Sequence, residues 1–138
     1  MGFGMRGAGS APILFSVKEG NTVALSELET ARLHKRVGAY VEARRPPPHV
    51  RRELDLSYRV SGQSFELFEV RQAWRGAPGE TIEHPIVKAT FVKTVNAWRI
   101  YWQRADLRWH RYEPYPTART IDEVLSVIET DEYGCFYG

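Results

Sequence analysis

The chain has 138 residues, 43% of them hydrophobic and 26% charged, with a formal net charge of +2, proportions that suit one globular domain able to bury a core and give no evidence by themselves for a nucleic-acid partner. Its single cysteine, Cys135, excludes an intrachain disulfide and a CxxC zinc site and implies no oxidising compartment. No apolar run approaches the roughly 20 residues of a membrane span, so the expectation is a cytoplasmic protein with no membrane partner.

Residues 1–22 differ from the rest: Gly2, Gly4, Gly7, Gly9 and Gly20 sit among small residues, with Ile13-Leu14-Phe15 as the one apolar patch. That patch is too short for a secretory signal, and Arg6 stands where a myristoylation signal needs Ser or Thr. The stretch reads as a disordered or non-native extension, Val23 offering an alternative start, ahead of a single α+β domain over 23–138.

Ser26-Glu27-Leu28-Glu29 is a capping box, in which hydroxyl and carboxylate each satisfy a backbone N–H left free by the first turn. It opens a helix running to about Arg44, with Leu28, Val37, Tyr40 and Val41 as the apolar stripe and Arg32, Lys35 and Arg36 off it. Pro46-Pro47-Pro48 ends the helix, and Arg44-Arg45 lie where the macrodipole favours cations. From Leu54 to Val60 apolar residues alternate, with Leu54, Leu56, Tyr58 and Val60 on one face. The turn Ser61-Gly62-Gln63 returns the chain as Ser64–Gln72, apolar on both faces (Phe65 and Leu67, then Phe68 and Val70) and therefore central. A loop over 74–83 leads to a third strand, Pro85–Thr94. Two tight turns, Val95-Asn96 and Ala105-Asp106, then connect strands Ala97–Arg104 and Leu107–Glu113. Pro114 and Pro116 break the last strand. Thr120 to Glu123 is a second capping box, and Ile121, Val124, Leu125 and Ile128 follow at helical spacing. The aromatic, glycine-rich tail Tyr133–Gly138 is expected to pack back on the domain. The predicted fold is thus α+β: an N-terminal helix, a five-stranded antiparallel meander and a C-terminal helix, with both helices on one sheet face.

Four stretches carry a resemblance: Arg44–Arg51, Glu66–Arg71, Trp102–Glu113 and Gly134–Gly138. Through them the chain, from about Ala24 to Gly138, resembles a bacterial family catalogued only as a domain of unknown function, number 3024. The resemblance implies a single bacterial domain and brings no activity, ligand or site residue.

Strand parity directs the functional reading. Alternation puts Trp98, Ile100, Trp102 and Arg104 on one face and Arg99, Tyr101 and Gln103 on the other. After a two-residue turn, Leu107, Trp109 and Arg111 fall with the tryptophans, while Arg108, His110 and Tyr112 join Arg99 and Tyr101. That second set offers π surfaces for bases and cations for phosphates, extended by Lys88 or Lys93. The same residues also fit ordinary cross-strand Arg–Tyr pairs on a solvated face. A basic block adds to it: seven basic residues lie between Arg32 and Arg52 against one acid, Glu42. Within the block Arg44, Arg45, Arg51 and Arg52 bracket a rigid Pro-Pro-Pro-His49, a preformed grip for phosphate or carboxylate. Alternatively they form a solvated helix end salt-bridged to Glu53 or Asp55.

An enzyme reading uses Asp55, Glu69 and Arg71, whose spacing is similar to the acid…acid-x-Lys set of metal-dependent nucleases. Arginine in place of lysine cannot give up its proton, and a structural Glu69–arginine pair is the other account. His34, His49, His84 and His110 stand at no metal-ligand spacing, and neither a P-loop nor GxGxxG supports a nucleotide cofactor; no cofactor and no metal are expected. The leading function is a small binding module for nucleic acid or another polyanion. The alternatives are a metal-dependent nuclease-like enzyme and a protein–protein adaptor or homodimer using the aromatic face, since Trp, Tyr and Arg are also hot-spot residues.

Overall fold

The Ser26 capping box closes as its residues require: Glu29 N donates to Ser26 Oγ at 3.1 Å and Ser26 N donates to Glu29 Oε1 at 2.9 Å. In this computed structural model, which describes residues 25–138, the box starts helix α1, Glu27–Arg44. The expectations for residues 1–22 and for Val23 lie outside the described residues. Leu33, Val37 and Val41, four residues apart, form the buried row of α1, each contributing about 1.5–3 kcal/mol by leaving water. Leu28, expected in that row, is 70% exposed; it stands five residues before Leu33, about 140° around the helix. The last helical bond runs from Arg45 N to Val41 O at 2.8 Å, and the three prolines follow.

The strands are β1 (Leu54–Ser61), β2 (Ser64–Gln72), β3 (Thr81–Val92), β4 (Ala97–Gln103), β5 (Trp109–Arg111) and β6 (Thr117–Ala118), and helix α2 (Ile121–Thr130) closes the order. They form one antiparallel sheet in the order β1-β2-β3-β4-β5, with β6 also on β4. The outer edge of β4 is therefore shared: Tyr101–Gln103 pair with β5 and Trp98–Arg99 with β6. The strand expected over Leu107–Glu113 is shorter, because Pro114 and Pro116 turn the chain before it rejoins β4.

Strand β3 begins four residues earlier than expected, at Thr81, since the glycine-containing loop already closes between Ala73 N and Glu80 O at 2.9 Å. The β2–β3 register shifts between Leu67, which faces Val87, and Phe68, which faces Pro85. Ile86 is thus an extra residue, a bulge, and a bulge is where a sheet tolerates proline. It lets Ile86 and Val87 both enter the core, at 4% and 0% exposure.

Both helices cover one face. Leu56, Phe65, Leu67, Val87, Ala89, Trp98 and Ile100 from the sheet join Leu33, Val37 and Val41 of α1 and Val124, Leu125 and Ile128 of α2 in one cluster. At α2 the capping box is half formed: Thr120 Oγ1 accepts from Glu123 N at 3.1 Å, but the Glu123 carboxylate takes the N–H of Arg119. Asp131, in the left-handed region at φ 43°, ends the helix. Its carboxylate accepts from Phe136 N at 3.0 Å and Tyr137 N at 2.8 Å, folding the tail over the core so that Phe136 packs on Tyr112. Tyr133 stays exposed.

Candidate functional site on the open sheet face

The sheet face away from the helices is built by the parity of β4 and by the loop that follows it. Register sets Arg99 opposite Thr90 and Tyr101 opposite Lys88 on β3. On the other side Tyr101 faces Arg111, Gln103 faces Trp109 and Arg99 faces Thr117. Directly opposed residues share a face in an antiparallel pair. Lys88, Tyr101 and Arg111 therefore form one row about 10 Å wide, with Arg99 and Gln103 about 7 Å to either side of Tyr101 along the strand.

The loop Ala105-Asp106-Leu107 has three residues between opposed arginines: Leu107 N donates to Arg104 O at 2.8 Å, and Arg104 N to Arg108 O at 3.2 Å. Leu107 adopts φ 62°, as the third residue of such a hairpin must. The expected turn had two residues. A one-residue change in loop length moves every later side chain to the other face, which corrects three assignments. Tyr112 is core, 1% exposed; its hydroxyl has no partner among the described residues, and burial pushes its phenol up. His110 faces Trp102, on the helix side, with Nε2 2.9 Å from Asp106 Oδ2. Arg108, opposite Arg104, lies on that side as well, its N–H donating to Asp106 Oδ1 at 2.9 Å. The Arg108 backbone N–H and then His110 hold the Asp106 carboxyl below its usual range. In exchange Trp109, expected in the core, and Arg111, expected on the same face as Trp109, reach the open face. The one sequence signal for this was loop length, masked by a leucine where glycine or asparagine usually marks the left-handed position.

Charge divides the face in two. Toward β1, Arg59 is spent: it forms an ion pair with Glu83, and its guanidinium lies 4.4 Å from the centre of the Phe68 ring. Ser64 and Thr90 share a hydrogen bond at 2.7 Å. Toward β5, among the described residues, no carboxylate closes an ion pair with Lys88, Arg99 or Arg111; Glu66 stands opposite Lys88 in register without reaching it. Tyr101 and Trp109 are half-buried yet belong to neither the core cluster nor its packed margin. Among the described residues no ring or guanidinium stacks on either.

The basic helix end does not join this face as a free anion grip. Arg44 makes two bonds to the Glu129 carboxylate, at 2.8 and 2.9 Å, and stacks on Tyr137 at 3.6 Å. Arg45 forks onto Asp55 at 2.9 and 2.8 Å and also reaches Glu42. Arg45 is the first cause that holds the Asp55 carboxyl below the ordinary carboxylate range. Arg51 Nε donates to Pro46 O at 2.8 Å, bracing the proline turn. Arg52 is exposed, and its carbonyl accepts from Gln72. Of the two acidic partners expected, Asp55 pairs with Arg45, while Arg44 pairs instead with Glu129.

The nuclease set also separates. Asp55 faces Val70 while Glu69 faces Leu56, so the two carboxylates lie on opposite faces and cannot share a cation. Glu69 instead pairs with Arg71 at 2.6 Å. Among the described residues no three of His, Cys, Asp and Glu gather as a metal site, and no helix is long and apolar enough to cross a membrane. Burial pushes the Cys135 thiol up, away from the thiolate a nucleophile needs.

A family model described as Domain of unknown function (DUF3024) matches residues 25–138. No curated protein and no solved structure matches the chain.

Proposed function

Since the chain belongs to the DUF3024 family, whose description carries no activity, we propose its function from geometry: it is a small binding module that takes a polyanion, nucleic acid foremost, on the open sheet face. The observation that carries this is the row Lys88–Tyr101–Arg111 with Arg99 beside it, three cations on a helix-free face with no carboxylate closed on them among the described residues. The three cations lie about 7–10 Å apart, with Glu66 opposite Lys88 in register, so their mutual repulsion is modest and their summed field favours a polyanion.

The test is binding of a labelled oligonucleotide as salt is raised. Three neutralised phosphates predict a slope near −2 to −3 in log affinity against log salt, a loss of roughly 20- to 40-fold between 50 and 200 mM. Charge reversal at Arg99 or Arg111 should weaken binding at low salt and flatten that slope. Reversal at Arg45 is an unsuitable control, since it breaks the Asp55 pair; Arg75, on the loop between β2 and β3, is a suitable one. Undetectable binding at low salt rejects the reading.

A second reading, contact with a protein partner or a second copy, draws on Trp74. It is 83% exposed, with the Arg75 guanidinium 4.3 Å from its ring centre. Sedimentation across a concentration series decides the homodimer: a constant monomer mass removes it.

A further inference from the structure

We infer that the open face selects single-stranded nucleic acid, with bases stacked on Tyr101 and Trp109 and the backbone held by Lys88, Arg99 and Arg111. This rests on the polyanion reading above and adds to it what the rings are for. Cations alone would serve any polyanion. Two aromatic rings that neither belong to the core nor carry a stacked neighbour among the described residues offer flat apolar surface to whatever lies on the sheet. Both rings are half-buried, and the part of each that stays uncovered is what a planar partner would cover.

The spacing of the rings decides between single and double strand. Trp109 opposes Gln103, and Tyr101 opposes Arg111, so the two rings are diagonal neighbours, about 7 Å apart at their Cβ atoms. Bases in a duplex stack on one another about 3.4 Å apart and present only their edges. To lie on two rings side by side across a sheet, successive bases must be unstacked and splayed, which a single strand permits and a duplex does not. Gln103, opposite Trp109 and two residues along the strand from Tyr101, brings both a donor and an acceptor to a base edge. Lys88 and Arg111 flank Tyr101 on either side, where the phosphates adjoining a base on that ring would run.

The experiment compares oligothymidylate, a duplex of equal length and heparin, which has charge but no bases, against the whole chain and its Trp109→Leu, Tyr101→Leu and Trp109→Phe variants. Oligothymidylate should bind roughly tenfold or more tightly than the duplex, and each leucine variant should lose roughly fivefold or more for oligothymidylate while keeping its affinity for heparin. Trp109→Phe keeps a stacking ring, so it should keep affinity and lose most of the tryptophan quenching that oligothymidylate causes. That readout stands if a leucine variant fails to fold, which thermal melting shows. Equal or tighter duplex binding, or leucine variants that fold and bind oligothymidylate unchanged, overturns the single-strand inference and leaves the polyanion reading intact. Failure of all three probes to bind at low salt overturns both.

Discussion

Replacing Leu107 with glycine should stabilise the domain although it removes a hydrophobic side chain. Leu107 sits at φ 62° and is 76% exposed. The left-handed conformation costs a β-carbon-bearing residue about 1–2 kcal/mol, and a side chain that remains mostly in water contributes little burial to set against it. Glycine removes the strain but brings a more flexible unfolded chain, a cost of about 0.4–1 kcal/mol. The balance is a gain of about 0.5–1 kcal/mol, or roughly 2–4 °C in melting temperature for a domain of this size. Equilibrium urea unfolding of Leu107→Gly beside Leu107→Ala separates the causes, since alanine deletes the side chain and keeps the strain. If glycine is no better than alanine, the three-residue hairpin, and with it the facing of Trp109 and Arg111, is refuted.

Tyr112→Phe removes a buried hydroxyl that has no partner among the described residues, so it should be neutral or raise stability by about 1 kcal/mol; a loss beyond that in urea unfolding would mean the hydroxyl is bonded. Asp131→Asn keeps a residue tolerant of left-handed backbone but weakens the bonds from Phe136 N and Tyr137 N, at a cost of about 1 kcal/mol, and limited proteolysis should trim the tail faster than in the parent chain. Asp55 has a depressed folded pKa, first because of Arg45. Its contribution is therefore complete above the unfolded carboxylate value, near 4, and fades as pH falls through the lower folded value. Asp55→Asn should be less stable than the parent at neutral pH and draw level in acid; a gap that persists once the folded carboxylate is protonated would show that Asp55 acts through something other than its charge.

The features set by short-range chemistry were legible in the sequence. Ser26 and Glu29 marked the start of α1, Gly62 marked the β1–β2 turn, and the alternation from Leu54 and around Tyr101 gave the strand faces. The errors share one origin: a count of residues that composition does not reveal. The apolar row of α1 runs through Leu33, four residues before Val37, whereas Leu28 stands five before Leu33 and so about 140° around the helix. The loop after β4 holds three residues, and its left-handed position carries leucine, so periodicity carried across it reversed β5 and put Tyr112 and His110 on the open face. Asp55 and Glu69 lie in paired strands, but a register one residue removed from direct opposition puts them on opposite sides, which spacing along the chain does not reveal. The arginines at the end of α1 were visible as a basic block; Glu129, the partner of Arg44, lies 85 positions away in sequence, beyond the reach of local pattern.

The extra residue at Ile86 has an electrostatic consequence. Had the β2–β3 ladder continued without it, Ile86 and His84 would have pointed away from the helices, and Glu83 would have turned toward them. With it, Glu83 emerges beside Arg59 and cancels that guanidinium, so the surplus of positive potential is confined to the opposite flank. The polarity of this surface is thus governed by a frame shift of the backbone as well as by which charges the chain carries. A related chain could move its attractive flank by relocating a single residue, with no change in composition.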